Sequence, residues 1–192
     1  MTTNTILTLD EQRREFASRR LLAMPLTGAT VWLLIAISSQ LFSPFINVWV
    51  LFIGTGSIAY IAMFVSRFTG ENILDKSRPK NSFDTLFLLI MAASLASFAI
   101  AIPFFQVEYS SLPLSVGILT GTMWIPLSWV IQHPIGIIHA AIRIPFIVAA
   151  YYLFPEDRFL IIPLIIVAVY AMTIFVLETR WRTLEKTNEV QV

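Results

Sequence analysis

Long uncharged stretches of apolar residues alternate along this chain with short polar breaks. About 20 apolar residues are needed to cross about 30 Å of hydrocarbon, because a helix rises about 1.5 Å per residue. Stretches of this length predict six spans, each separated from the next by polar or helix-breaking residues. The predicted spans are residues 21–42, 45–64, 86–105, 112–131, 135–154 and 159–177.

The fourth and fifth spans lie within one long stretch that is almost free of charge. Residues 112–154 comprise 43 positions with one charged residue, Arg143. A single helix of that length would extend about 64 Å, roughly twice the thickness of the hydrocarbon. Gln132, His133 and Pro134 form the only cluster of polar and helix-breaking residues near the middle of this segment. They therefore predict the turn between the two spans.

Composition supports a membrane location. Hydrophobic residues make up 57% of the chain and charged residues 13%, with a mean hydropathy of +0.77. Soluble domains have roughly 45–50% apolar and about 25% charged residues. The net charge of +1 gives no electrostatic basis for binding nucleic acid, and the absence of cysteine excludes disulfides and thiolate metal centres. The sequence predicts an all-α polytopic membrane protein with six transmembrane helices in one bundle.

Basic residues gather on one side of the six-span arrangement. Four arginines precede the first span, four basic residues lie between the second and third spans, and three follow the sixth, whereas the other face has only Arg158. The positive-inside rule therefore predicts that both termini are cytoplasmic. Residues 1–20 are predicted to form a cytoplasmic amphipathic arm, with a capping box at Thr8 and Glu11, and residues 178–192 a cytoplasmic tail. The arginines of the arm either bind an anionic leaflet or only set the topology.

Small residues and prolines indicate where helices approach each other or bend. Gly117 and Gly121 form a small-xxx-small pair in the fourth span, a spacing that favours a close helix crossing. Pro126 and Pro145 each remove a backbone donor, so kinks are predicted in the fourth and fifth spans.

Arg143 is the one charged residue predicted to lie near the middle of the membrane. It is about 12 Å from one end of its helix and about 17 Å from the other. His139, one turn earlier, shares its helix face, and no carboxylate lies within the core of any span. An arginine at this depth costs about 2.5–3.5 kcal/mol on insertion scales, so its guanidinium is expected to face the bundle interior.

Two interpretations of Arg143 are open. In the structural one, hydroxyl groups and carbonyls freed by prolines satisfy the guanidinium, or the side chain snorkels toward the interface. In the functional one, Arg143 and His139 line a polar cavity that holds an anionic ligand, a lipid headgroup or water. Trp124 lies a turn deeper than the interfacial Trp129 and is the third candidate ligand-binding residue. The hydroxyl candidates of the structural interpretation are Thr120, Thr122, Ser94, Ser97, Thr55 and Ser57.

The patterns typical of catalytic and metal sites are missing from the sequence. His133 and His139 do not share a helix face, and no third ligand completes a zinc site. The sequence contains no paired carboxylates within a span, no phosphate-binding glycine loop and no G-x-S-x-G elbow. It therefore predicts no metal and no cofactor, and gives no support for an enzymatic activity.

Two functional hypotheses follow. The favoured one is binding or transport of a small anionic or amphipathic molecule in a polar intramembrane cavity at Arg143, His139 and Trp124. The alternative is a non-transporting membrane scaffold or subunit in which the buried arginine is structural. The expected partners are membrane lipids and, under the first hypothesis, the small anionic ligand; no nucleic acid is expected, and the sequence assigns no oligomeric state.

Two motifs resemble those of a known family. Over residues 19 to about 180, the chain is similar to a small, uncharacterised bacterial family of multi-pass membrane proteins, a domain of unknown function. The resemblance implies six helices and a bacterial inner (plasma) membrane, and implies no activity. The motifs are Arg19-Arg20 leading into a span with Trp32-Leu33-Leu34-Ile35, and Gly121 followed by Pro126 and Trp129.

Overall fold

The structure, a computed structural model, describes residues 7–71, 73, 81–96 and 98–190. Three of the four basic residues between the second and third predicted spans, Lys76, Arg78 and Lys80, lie outside these residues, as does the candidate hydroxyl Ser97. All regular secondary structure in the described ranges is helical. The helices are α1 (Leu9–Ser18), α2 (Ala23–Leu41), α3 (Pro44–Val65), α4 (Ser82–Ala96), α5 (Phe98–Val107), α6 (Leu112–Thr122), α7 (Trp124–Ile131), α8 (Ile135–Leu153) and α9 (Arg158–Val190), with a 3-10 turn at Tyr109–Ser111.

Within the described residues, six helical stretches are long and apolar enough to cross a membrane, which confirms the predicted number. They are α2, α3, α4 with α5, the stretch containing α6 and α7, α8, and α9. Helix α9 does not end near residue 177, where the sixth span was predicted to end, but continues to Val190. An ion pair one turn apart, Arg182 Nε to Glu178 Oε1 at 3.0 Å, supports this extension.

Helix α9 occupies the centre of the bundle. It packs between α2 and α8 and also contacts α6, while α2 packs against α3. Buried residues of α8 recur every three or four positions and form a stripe toward α6, α7 and α9. Helices α4 and α5 are peripheral and form the most exposed of the six stretches. The stripe of α8 comprises Ile135, Gly136, His139, Ala140, Arg143, Ile147 and Ala150.

The fourth predicted span contains two helices rather than one. Helix α6 ends at Thr122, and α7 begins at Trp124, two residues before Pro126. Because Pro126 has no N–H, it cannot bond to the carbonyl four residues earlier, and its ring also crowds that carbonyl. The interruption lies where a kink was predicted, whereas α8 continues without interruption through Pro145.

The turn between α7 and α8 lies at the predicted polar cluster. Gln132 has a φ of 52° and ends α7 in the left-handed conformation. Ser128 Oγ accepts a hydrogen bond from Ile137 N at 2.8 Å, and His133 Nδ1 accepts one at 3.2 Å from the first N–H of α8. Burial and the nearby charge of Arg180 lower the pKa of His133. The lower pKa favours the neutral ring that this cap requires.

Helix α1 packs against the bundle. The expected capping box is present, since Thr8 Oγ1 accepts from Glu11 N at 3.3 Å and Glu11 Oε2 accepts from Thr8 N at 2.7 Å. Phe16 of α1 is buried, and its ring contacts Phe83 and Phe87 of α4. The apolar face of α1 therefore covers the start of α4.

The two arginines of the first motif hold different helices. Arg19, the residue after α1, forms ion pairs with Glu15 of α1 and with Asp84 of α4. Arg20 donates from Nε and Nη2 to both carboxylate oxygens of Glu178 in α9, each at 2.9 Å. The hydrogen bonds with Glu178 raise the pKa of Arg20. The two arginines thus connect the end of α1 to both the peripheral α4 and the central α9.

The link between α1 and α2 has an unusual backbone. Leu21 has a φ of 57°, a left-handed conformation that leucine rarely adopts. Glu71 lies beside this link, and its Oε1 accepts from Leu22 N at 2.8 Å and from Ala23 N at 2.7 Å. No side chain at the start of α2 caps this helix. The carboxylate of Glu71, from the loop after α3, satisfies two of its first N–H groups instead.

We predict that Gly136→Ala strongly destabilises the bundle. A Cβ atom at position 136 would lie 2.0 Å from the backbone oxygen of Trp124, so α7 and α8 would have to separate. The expected loss of stability is at or above the upper end of the roughly 1–3 kcal/mol typical of overpacking. Thermal unfolding of the purified protein in detergent measures it.

Gly56→Ala in α3 is the matched control. A Cβ atom there meets nothing within 4 Å, and alanine is the better helix former. We expect its Tm to be unchanged or slightly higher. Equal Tm values for the two variants would contradict the close approach of α7 and α8.

Candidate functional site

Arg143 is completely buried, at 0% exposure, in the middle of the bundle. Its neighbours come from four helices: Trp32 of α2, Thr120 of α6, His139 of α8 and Tyr170 of α9. The arginine therefore faces the interior rather than lipid, as the cost of its burial predicted.

The two glycines of α6 make room for α8. An ideal Cβ at Gly121 would lie 3.3 Å from Arg143 Cδ, and one at Gly117 would lie 2.9 Å from Ile147 Cδ1. The small-xxx-small pair thus mediates a crossing within this chain, and Gly121 accommodates the arginine side chain.

The guanidinium donates to neutral acceptors. Arg143 Nη2 lies 2.7 Å from Thr120 Oγ1, and that hydroxyl donates in turn to the Val116 carbonyl at 2.7 Å. The hydroxyl proton is thus committed to the backbone of α6, which leaves a lone pair of Thr120 Oγ1 for the arginine. Arg143 Nη1 lies 3.4 Å from His139 Nε2.

A second threonine sets the tautomer of His139. Thr173 Oγ1 donates to the Val169 carbonyl at 2.8 Å and lies 2.8 Å from His139 Nδ1. Because its proton is already donated, the threonine oxygen accepts from Nδ1–H. His139 Nε2 is then an acceptor directed at Arg143, so the ring is neutral in this arrangement.

Aromatic rings surround the rest of the site. Arg143 Cζ lies 5.5 Å from the ring centroid of Trp32 and 5.6 Å from that of Tyr170, within the range of cation–π attraction. Trp124 stacks on His139, with centroids 4.4 Å apart and an interplanar angle of 15°. We call Trp32, Thr120, Trp124, His139, Arg143, Tyr170 and Thr173 the arginine cluster.

The arginine cluster has more donors than acceptors. Among the described residues, three of its buried N–H groups have no hydrogen-bond partner: Arg143 Nε, Trp32 Nε1 and Trp124 Nε1. The ion pairs between described residues also leave Arg143 without a carboxylate. A buried unpaired donor costs about 1–3 kcal/mol, and more when it is charged. The site therefore favours an additional acceptor.

Two adjoining cavities reach the arginine cluster from its side. One, of about 60 Å³, is lined by residues of α2 to α7 and α9, among them Thr120, Trp124 and Tyr170. The second, of about 70 Å³, continues toward α1 and the link before α2. Both are lined by Met24, Met123 and Trp124, so we treat them as one lateral cleft.

The three predicted site residues lie next to one another. Trp124 lines the lateral cleft, whereas His139 and Arg143 lie behind its wall and have no exposed surface. These two residues do not line the cleft, and the ligand-binding role expected of all three stays a prediction. The Thr120 hydroxyl and the rings of Trp32 and Tyr170 surround the Arg143 guanidinium.

Sequence reasoning named Thr120 among the candidate hydroxyls but missed Trp32, Tyr170 and Thr173. Trp32 and Tyr170 lie inside predicted spans, away from the interfaces where such rings usually occur. Their position near the middle of a span therefore indicates a role in the interior of the bundle. Thr173 gave no comparable signal, because a threonine in a span often bonds only to its own helix.

The chain belongs to a family of unknown function, DUF7010, whose model matches residues 9–180. The matched region contains the arginine cluster, the lateral cleft and both arginines of the α1–α2 link. Comparison with curated proteins and comparison with solved structures each gave no match.

We predict that Thr120→Val destabilises the protein by about 1–3 kcal/mol, because it removes the acceptor of Arg143 Nη2 at nearly constant volume. Thr122→Val is the control: Thr122 is exposed on the same helix, and its hydroxyl bonds only to the Leu119 carbonyl. Tm values in detergent compare the two variants. An equal loss in both would show that Thr120 contributes little to holding the arginine.

Proposed function

We propose that this protein binds a small amphipathic molecule in the lateral cleft, with an anionic or strongly accepting group directed at the arginine cluster. The observation that carries the proposal is the surplus of buried donors around an arginine that no described carboxylate pairs. A ligand acceptor would receive the indole N–H of Trp124 first, since Trp124 is in the cleft wall.

The apolar part of the ligand follows from the remaining walls of the cleft. Methionine, leucine and phenylalanine side chains form much of both cavities, and polar groups are few. Methionine suits a variable apolar ligand, because its flexible thioether adapts to different shapes. The exposure of α4 and α5 supports entry from the lipid phase between these helices and α3.

The proposed setting is a bacterial inner membrane with both termini cytoplasmic. The family resemblance supports the first part, and the basic residues of α1, the long loop and the end of α9 support the second. Binding is the minimal function of the cleft. Transport would further require the ligand to leave toward the opposite end of the bundle.

A structural role is the second candidate. The complete burial of Arg143 and its contacts with Thr120, His139, Trp32 and Tyr170 favour it, because these groups hold the cation without a ligand. Under this hypothesis the lateral cleft is occupied only by bulk lipid chains.

Titration with cis-parinaric acid, a fluorescent anionic amphiphile, tests the proposal. The purified full chain in neutral detergent should bind it saturably. Trp124→Phe keeps an aromatic ring against His139 but removes the N–H, so the affinity should fall roughly tenfold, the value of a hydrogen bond to a charged group.

Trp49→Phe is the matched control, since Trp49 is an exposed tryptophan of α3 outside the cleft. Its affinity should equal that of the wild type. Absence of saturable binding, or the same affinity in both variants, would favour the structural role.

A further inference from the structure

A polar pocket lies at the end of the bundle opposite α1. It has a volume of about 150 Å³ and lies between the α2–α3 turn, the 3-10 turn before α6 and the start of α9. We call it the acidic-end pocket. Its lining residues include Asn47, Tyr109, Glu156, Asp157 and Phe159.

Asn47 supplies an unmet acceptor at this pocket. Its side chain is 4% exposed, and Nδ2 donates to the Phe42 carbonyl at 3.3 Å. Among the described residues, Oδ1 has no hydrogen-bond partner. An asparagine in the first turns of an apolar span, with its carbonyl oxygen unpaired, favours a donor from a ligand.

The charge at this end is negative. By sequence, the three connections here contain Glu108, Glu156, Asp157 and one basic residue, Arg158. Arg158 donates to the Tyr151 carbonyl at 2.9 Å and to Ser110 Oγ at 2.5 Å. Among ion pairs between described residues, none involves Glu156 or Asp157. The two carboxylates are therefore available to a cationic ligand.

Aromatic rings complete the pocket. Tyr109 and Phe159 are nearly parallel, with ring centroids 6.2 Å apart and an angle of 22°. Aromatic faces attract cations, and an alkylammonium group combines a cation with three N–H donors. A calcium ion, by contrast, needs about six to eight oxygen ligands, and no described cluster contains three metal-binding side chains.

We propose that the acidic-end pocket binds a primary ammonium group, with Asn47 Oδ1 and the carboxylates of Glu156 and Asp157 as acceptors. The ammonium group belongs either to a free amine or to the headgroup of an ethanolamine lipid. This site is separate from the lateral cleft, which lies between α1 and the middle of the bundle. It does not depend on the function proposed above.

The test follows the Tm of the full chain in neutral detergent during titration with butylammonium chloride at constant ionic strength. A saturable rise is expected. Tetramethylammonium, which has no N–H, should bind about tenfold more weakly, because it loses the charge-assisted hydrogen bonds. A rise with calcium chloride but not with butylammonium would overturn the proposal, as would no saturable rise at all.

Two variants locate the site. The double variant Glu156→Gln, Asp157→Asn changes exposed side chains and should weaken butylammonium binding about tenfold or more without loss of folding. Asn47→Leu should weaken it similarly. Glu108→Gln, which removes a carboxylate from the same end outside the pocket, is the charge control and should bind as the wild type does. Equal weakening in this control would overturn the proposed site.

A lipid arm distinguishes the two sources of the ammonium group. Phosphatidylethanolamine and phosphatidylcholine differ at the amine, since only the former has N–H donors. A higher Tm in detergent micelles with added phosphatidylethanolamine than with added phosphatidylcholine would identify a lipid headgroup, provided that the double variant loses this difference. Binding of butylammonium without this lipid effect would identify a free amine.

Discussion

The burial of one guanidinium that no described carboxylate pairs is the constraint around which the centre of this bundle is arranged. Removing an arginine from water costs several kcal/mol, so every neighbour must contribute. The protein meets this demand with a threonine oxygen, a neutral imidazole and two aromatic faces. Each comes from a different helix, so the requirement of Arg143 also determines how α2, α6, α8 and α9 pack together.

This arrangement stabilises the cation only in part. Thr120 and Thr173 each donate their proton to their own helix, so each has a lone pair for the cluster but no further donor. Three N–H groups remain without acceptors among the described residues. A fully satisfied network would indicate a purely structural arginine. The surplus of donors beside an apolar cleft instead favours a ligand with an acceptor at one end.

The number of spans and the position of the α7–α8 turn were predictable because hydrocarbon strongly restricts where charges and prolines occur. Contacts between residues distant in sequence were not predictable. Arg20 and Glu178 are 158 residues apart, and a single sequence does not show that the link before α2 lies beside Glu178 of α9. The position of Arg143 near the middle of its helix was likewise predictable from the sequence. The rings of Trp32 and Tyr170 that enclose Arg143 were not predictable, because only the packing of α2 and α9 brings them to it.

The most direct test is the gain in Tm that saturating cis-parinaric acid gives to the wild type and to Arg143→Met, whose unbranched side chain fills much of the same volume. A ligand at a hundred times its Kd stabilises the folded state by about 2.7 kcal/mol. The wild type should show a gain of this order, and folded Arg143→Met should lose most of the gain, whatever its Tm without ligand. An equal gain in both proteins would contradict a contribution of the buried guanidinium to ligand binding.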